Sequence, residues 1–384
     1  MGYFNAIRQS QPAAVFAGPG CADNHYEWTE PFCRDMDTIP SKIAMLTQHN
    51  YGGEGGKDTT HEIIKQKTDS LLMKNNLDYI SHVADSLVKY ASRGHIPFRM
   101  SETNSLFHGG MWGVSNAFVS ALWALDYMYQ LAYDSCAGVN FHGALEGPYT
   151  VFSKYHNVYR AHPIAYGILA FQIGSKGKFI KDTVWNNHIN LDTYSVIDAS
   201  HNIYTTIINK ETWQNPDSVI SLEVDIRNSN YIAAEYLRLR SDSLGDTTRV
   251  TLGEKVVDSL GRIPVYTWTS LPVTSHATHF NVPAGSAVVV KFIYRMGNSI
   301  QDNSGNNKHF LNLYPNPASD RVTISTEMTG HSVISVYNLQ GQILMQRQMQ
   351  QGKTDIDIRE FAKGVYIVRL TGNAGAEAGR FIKE

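Results

Sequence analysis

The sequence predicts an α/β region followed by two all-β regions. Three observations predict it. Short apolar runs alternate with amphipathic stretches up to residue 175. From 176 to 296 the hydrophobic period changes to two. A polar stretch rich in Gly, Asn and Ser, Gly297–His309, then sets off a last block, Leu311–Glu384. The expected domains are therefore 1–175, 176–296, a linker at 297–310, and 311–384.

In the first region Ala13–Phe16 is a short strand candidate ending at Gly18-Pro19-Gly20. Ile43–Leu46, Ile96–Met100 and Gly138–Phe141 are three more. Between them lie helical stretches, Leu71–Ala91 and a run carrying Phe118, Ala121, Leu122, Leu125, Met128, Tyr129 and Ala132 on one face, with Ser115 as its expected N-cap. Pro163–Ile173 follows as a last helix. Alternating strands and helices imply a parallel sheet covered by helices. His49, Glu102, Asn104 and His142 stand at strand ends, the position where parallel barrels carry their sites. A whole eight-stranded barrel takes about 250 residues. Four units fit here, so the region reads as a partial (β/α)8 TIM barrel whose front half is expected upstream of Met1.

In the second region Ile220, Leu222, Val224 and Ile226 alternate with Ser221, Glu223, Asp225 and Arg227, and Ala287–Phe292 is another apolar run. This is the pattern of an antiparallel β-sandwich. In the last block, Arg321–Ser325, Val333–Tyr337, Ile343–Arg347, Asp355–Ile358 and Val365–Leu370 are strand candidates of a small sandwich.

Composition excludes several classes. The 384 residues are 42% hydrophobic and 18% charged, enough to bury more than one core. The net charge is -2 with no basic stripe, which argues against nucleic acid as a partner. No run of 18 apolar residues exists, so no membrane-spanning helix is expected. Twenty-one tyrosines and six tryptophans suit either large cores or sugar stacking, and composition does not choose. Cys21 and Cys33 share one predicted loop and could pair in an oxidising compartment; Cys136 is the third cysteine.

Two motif-like stretches fail on inspection. His61-Glu62-Ile63-Ile64-Lys65 opens like a zinc-protease helix, but Lys65 replaces the second histidine. Gly52-Gly53-Glu54-Gly55-Gly56-Lys57 imitates a phosphate loop, but Tyr51 replaces the first glycine and Asp58 follows the lysine. A flexible lid is the simpler reading of that loop. The fifteen histidines show no clustered ligand spacing, so neither metal nor cofactor is implied. His142 reads as a hydrogen-bonded structural residue.

Glu102 is the outstanding candidate. It emerges from a buried strand, between Arg99 and Asn104 and ahead of Gly109-Gly110. A glycosidase needs two carboxylates flanking the scissile bond, and a neighbouring Arg99 would hold Glu102 anionic, as a nucleophile requires.

Two resemblances sharpen the reading. Leu313-Tyr314-Pro315-Asn316-Pro317-Ala318, Val336-Tyr337-Asn338-Leu339-Gln340-Gly341, Phe361-Ala362-Lys363-Gly364-Val365-Tyr366-Ile367-Val368 and Arg380-Phe381-Ile382-Lys383 together resemble the C-terminal sorting domain of the type IX secretion system. The resemblance implies an immunoglobulin-like sandwich, export across the outer membrane by that machinery, and a final place at the cell surface or in the medium. Met1-Gly-Tyr-Phe-Asn-Ala-Ile-Arg has no leader character, so a signal peptide is expected upstream.

Arg99–Ser105, Gly109–Ser115, Ala121–Asp126 and Gly138–Gly143 resemble glycoside hydrolase family 79, which contains heparanase and β-glucuronidases; Thr47-Gln48-His49-Asn50-Tyr51 and Pro163–Leu169 are similar to further parts of it. The resemblance implies a retaining β-glycosidase acting on β-linked oligosaccharides, polysaccharides or glucuronides, with the four strands as the fifth to eighth of the barrel. It makes Glu102 the nucleophile. His49, Tyr51, Asn104 and Arg99 fall to the sugar subsite, and Tyr149 to a uronate carboxylate. Two departures stand out. The family's acid/base lies in an Asn-Glu-Pro motif that is absent here, and Glu54, Glu62 and Glu146 are the nearest substitutes by position. Phe107 stands where a tyrosine is expected near the uronate carboxylate. The competing expectation is a catalytically inactive, cell-surface glycan-binding protein.

Overall fold

The computed structural model describes residues 2–22, 26–37, 43–143, 146–185, 189–212, 220–228, 230–274, 276–294, 311–326, 330–349, 352–372 and 375–384. The expected linker at 297–310 lies outside them. The chain divides into two compact units, Met1–Arg295 and Met296–Glu384.

The first unit opens with α1 (Gly2–Ser10), β1 (Phe16–Cys21), α2 (Tyr26–Asp37), β2 (Ile43–Tyr51), α3 (His61–Leu72), α4 (Asn76–Arg93), β3 (Phe98–Asn104), α5 (Phe118–Tyr133) and β4 (Val139–Phe141). The four strands form one parallel sheet in the order β1-β2-β3-β4. Among the described residues this sheet is open and does not close into a barrel. The expected turn at Gly18-Pro19-Gly20 is strand instead. β1 is an edge strand, where a proline's missing N–H is tolerated. The register slips between Pro19 and Cys21 and leaves Gly20 at φ 68°, the left-handed region glycine supplies.

The single helix expected over Leu71–Ala91 is two. Met73 leaves the helical region and ends α3. Asn75 and Asn76, poor in a helix interior, begin α4. Ser115 is not the cap of α5, which starts at Phe118. Its hydroxyl instead accepts from the Met111 N–H at 3.1 Å and from Ser105 Oγ at 2.9 Å. α5 is buried on every side rather than on one face, because α3, α4 and a later helix, α6 (Pro163–Gly174), all pack against it. At the α5–α6 crossing a Cβ on Gly167 would lie 2.1 Å from the Ala121 carbonyl oxygen. Gly167→Ala is therefore expected to lower stability by about 1–3 kcal/mol through overpacking, read as a shifted denaturant midpoint; an unchanged midpoint would show that the helices separate freely.

A hairpin, β5 (Phe152–Tyr155) and β6 (Val158–Ala161), precedes α6. After it come β7 (Lys178–Ile180), β8 (Leu191–Ile197), β9 (Ile203–Asn209), β10 (Ile220–Asp225), β11 (Tyr231–Arg240), β12 (Thr251–Leu252), β13 (Thr269–Leu271), β14 (Ala277–Val282) and β15 (Ser286–Tyr294). A seven-stranded antiparallel sheet runs β12-β11-β15-β9-β8-β7 with β13 beside β11, and β10 pairs with β14 separately. One face of the large sheet packs on the β10–β14 ribbon through Ile207, Val288, Val290 and Phe292. The other meets α5 and α6 through Val196, Ile208, Leu237 and Val289. Burial of both faces explains why β9 and β15 do not alternate apolar with solvated residues: Thr205 to Asn209 and Ser286 to Val290 are buried without a break.

The α5 layer and the large sheet are also joined by charge. Lys210 is buried and bonds Asp126 on α5 at 2.8 Å and Asp192 on β8; Tyr194 donates to the second Asp126 oxygen at 2.8 Å.

The second unit contains β16 (Asn312–Tyr314), β17 (Arg321–Ser325), β18 (Ser332–Tyr337), β19 (Ile343–Met349), β20 (Lys353–Asp357), β21 (Gly364–Gly372) and β22 (Gly375–Lys383). Sheets β16-β17-β20 and β19-β18-β21-β22 enclose Val322, Ile324, Ile334, Val336, Ile356, Val368, Leu370 and Phe381. β16 and β22 extend the five strands expected from the sequence. No helix among the described residues is long and apolar enough to cross a membrane. Cys21 carries a free thiol, and the side chain of Cys33 lies outside the described residues.

Candidate active site

The pleat of β2 and β3 decides which side chains share a face. Leu46, Thr47 and Gln48 pair with Phe98, Arg99 and Met100, but His49 pairs with Glu102, so Ser101 is an extra residue. The same slip appears against β4, where Met100 pairs with Val139 and Thr103 with Phe141. Without this bulge Glu102 would follow Phe98 and Met100 onto the buried apolar face. With it, Thr103 takes that place, and Glu102 and Asn104 join His49, Tyr51 and His142 on the opposite face. Bulges re-aim side chains in this way.

Glu102 is the hub of that face. Tyr51 Oη donates to its Oε1 at 2.8 Å. His142 Nδ1 is 3.3 Å from the same oxygen, and His49 Nδ1 is 3.5 Å from Oε2. Tyr51 Oη also lies 2.8 Å from His142 Nδ1, and Tyr149 Oη lies 3.4 Å from that nitrogen. One phenol carries one proton. If Tyr51 gives it to Glu102, His142 Nδ1 must carry the hydrogen shared with Tyr51, which leaves Nε2 bare unless the ring is cationic. Glu102 keeps 30% of its side chain exposed, whereas Tyr51 and Tyr149 are buried. The Tyr149 hydroxyl is pushed above the usual phenol range, first by burial and second by the negative charge of Glu102.

Two of the expected site residues occupy other positions. Arg99 sits three residues before Glu102, about 10 Å along a strand. Its Nε donates to Asn140 Oδ1 at 2.6 Å, and no ion pair joins it to Glu102 among the described residues. Asn104 is fully buried. Its Nδ2 donates to the carbonyls of His142 at 2.7 Å and Tyr149 at 3.1 Å, and its Oδ1 accepts from the Ser105 N–H at 2.7 Å. Its amide thus pins the segment carrying His142 and Tyr149 and has no free group for a sugar. His142, read from sequence as structural, touches Glu102, Tyr51 and Tyr149. Its place at the end of β4, matching that of His49 on β2, is the signal that could have marked it.

The glycine loop after Tyr51 is a wall rather than a free flap. The Gly52 N–H donates to the Asn104 carbonyl at 3.2 Å, and the Phe107 N–H donates to that of Gly53 at 2.8 Å. A Cβ on Gly55 would lie 2.2 Å from the Phe107 carbonyl oxygen, so only glycine allows this approach. Phe107 packs 4.9 Å from the Tyr51 ring at the rim. Glu54 lies 3.8 Å from His108, Glu62 is in the first turn of α3, and Glu146 is exposed; none is paired within this cluster.

Parallel strands with helices outside them, backed by an antiparallel sheet, are a fold shared with solved glycoside hydrolases. A 4-O-α-L-rhamnosyl-β-D-glucuronidase from Fusarium oxysporum 12S, solved with Rha-GlcA, matches 76% of this chain and 63% of its own at 16% identity and a TM-score of 0.58. A glycoside hydrolase family 44 endoglucanase from Clostridium acetobutylium ATCC 824 matches 76% of this chain and 59% of its own at 12% identity and a TM-score of 0.50. The chain thus spans less than two thirds of the length of either structure. No curated protein matches it. Residues 312–384 match the model of the secretion system C-terminal sorting domain. This domain indicates export through the type IX system, to the cell surface or the medium.

Proposed function

We propose that this chain is the C-terminal portion of an exported retaining β-glycosidase in which Glu102 is the nucleophile. The observation that carries the reading is the Glu102 carboxylate, turned out of the core by a strand bulge and held on Oε1 by the Tyr51 hydroxyl. A fixed, partly exposed anion at the C-terminal end of parallel strands is suited to attack an anomeric carbon. Because Tyr51 occupies Oε1, Oε2 is the attacking oxygen, and a glycosyl ester forms as the leaving oxygen takes a proton from a second, protonated carboxyl group. Water then hydrolyses the ester with that second group acting as base.

We place the second carboxylate on the strands that would close this open sheet into an eight-stranded barrel. Glu54, Glu62 and Glu146 do not reach the cluster. His49, His142 and Tyr149 line the sugar subsite, which suits a β-linked pyranose. Glucuronides are the first class to try, with Tyr149 as the donor to a uronate carboxylate, although Phe107 offers that group no hydrogen bond.

The reading is tested by incubating the whole exported protein with a panel of aryl β-glycosides and following the released sugar by NMR. First-formed β-anomer is expected. First-formed α-anomer would overturn the retaining mechanism. Affinity for a glycan without turnover would favour an inactive glycan-binding protein, a reading supported by the lack of a second carboxylate near Glu102 among the described residues. Tyr51→Phe removes one hydrogen bond to a charged oxygen, worth about 1.5–3 kcal/mol. It is expected to lower kcat about 10–100-fold, with the fold unchanged by circular dichroism; an unaltered kcat would remove Tyr51 from the role of holding Glu102.

A further inference from the structure

The motifs that mark the sorting domain have a second property, visible only in its strand pairing. Their alternate residues divide between two faces. Val336, Tyr366, Val368 and Phe381 go to the core. Tyr337, Ile367 and Ile382 go to the outer face of the β19-β18-β21-β22 sheet. Tyr337 is paired with Ile343 on one side and Ile367 on the other, and Ile367 is paired with Arg380, so Ile343, Tyr337, Ile367 and Arg380 form one row across all four strands. Ile343, Ile367 and Ile382 are 55%, 41% and 44% exposed. Half-exposed isoleucines in this row, with Ile382 beside Val365 in the next, on an otherwise solvated sheet face are the mark of an interaction surface.

Charge makes the surface one-sided. Arg369 and Arg380 point from the same face, and neither forms an ion pair among the described residues of this unit, where the arginine pairs are Arg321–Asp355 and Arg359–Asp357. Every outward position of β18, β19, β21 and β22 among the described residues is apolar, neutral or basic. Glu377, the one acidic residue on these strands, is only partly exposed and its carboxylate accepts from Thr326 Oγ1 at 2.8 Å. The complementary partner therefore has apolar side chains bordered by carboxylates.

We infer that this outer face is where a component of the export machinery docks, through an apolar patch edged with Asp and Glu. The inference rests on the sorting-domain match and not on the glycosidase reading. A domain whose role is to be recognised needs a face that can be read while its core stays closed, and this one combines apolar side chains with two arginines that have no acidic partner among the described residues. The motif residues thus serve two purposes, one alternate set folding the sandwich and the other presenting it.

The test is secretion of the full chain, behind a leader peptide, from a bacterium with a type IX system. Arg369→Glu with Arg380→Glu, and separately Ile367→Asp, are expected to lower the amount reaching the surface and medium at least about tenfold, with intact chain retained in the cell. Arg321→Glu on the other sheet should export like the wild type. Thermal unfolding of each purified chain must be unchanged for its result to count; if Ile367→Asp unfolds the domain, the exposed arginine pair alone decides. Wild-type export of the double arginine variant would overturn the proposal, and so would equal loss in Arg321→Glu. So would a chain that is dimeric by light scattering and becomes monomeric in the double variant, since that assigns the face to a second copy.

Discussion

Glu102→Gln is expected to reduce turnover of aryl β-glycosides about 10⁴-fold or more, the scale of losing a covalent nucleophile. Glutamine keeps the shape of the side chain and an oxygen for the Tyr51 hydroxyl, which donates at 2.8 Å in the wild type, so the fold should not change. The loss should fall on kcat, because the missing anion acts in the transition state rather than in binding. Glu102→Ala opens space where a small anion can stand in for the carboxylate. Added azide should restore turnover and yield a glycosyl azide of inverted configuration. A glutamine variant within tenfold of the wild type would assign the chemistry to another residue.

The second large effect is on stability. Lys210 is 1% exposed and is held by Asp126 and Asp192, with Tyr194 completing the hydrogen bonding of Asp126. Lys210→Met leaves two carboxylates without their cation, and breaking such a buried pair costs about 3–5 kcal/mol. The unfolding midpoint of the first unit should fall accordingly. Burial pushes the Asp126 carboxyl up to about 6, against the pull of Lys210 and with a further push from Asp192. Its folded value lies above the unfolded one, so the folded state holds the extra proton between about pH 4 and 6. This carboxyl therefore contributes most below its unfolded value, and the contribution is lost as the pH rises towards 6. Asp126→Asn should remove that part of the pH dependence. A Lys210→Met midpoint equal to the wild type would show that the carboxylates escape to water.

The periodicities made much of this legible. Alternation identified β10, an apolar run identified β15, and the strand-end position of Glu102 drew attention to the side chain on which Tyr51, His49 and His142 converge. The rest was hidden for specific reasons. Arg99 is only three residues from Glu102 in sequence, but strand rise separates them and gives Arg99 to Asn140. Asn104 is at the strand end expected of a ligand, yet its amide is consumed by backbone carbonyls brought in from forty residues on. The bulge at Ser101 is visible only in pairing, because nothing in Met100-Ser101-Glu102 announces an extra residue. Lys210 and Asp126 belong to segments read as separate domains, so their contact could not be drawn from either.

The measurement closest to the central claim is trapping of the glycosyl-enzyme. The whole protein is treated with a panel of activated 2-deoxy-2-fluoro-β-glycosides, digested, and sequenced by mass spectrometry. A single added sugar on the peptide containing Glu102, as an ester at that side chain, is the predicted result. A sugar on any other carboxylate, or steady turnover of the parent glycosides with no trapped ester from the sugar that is turned over, would contradict it.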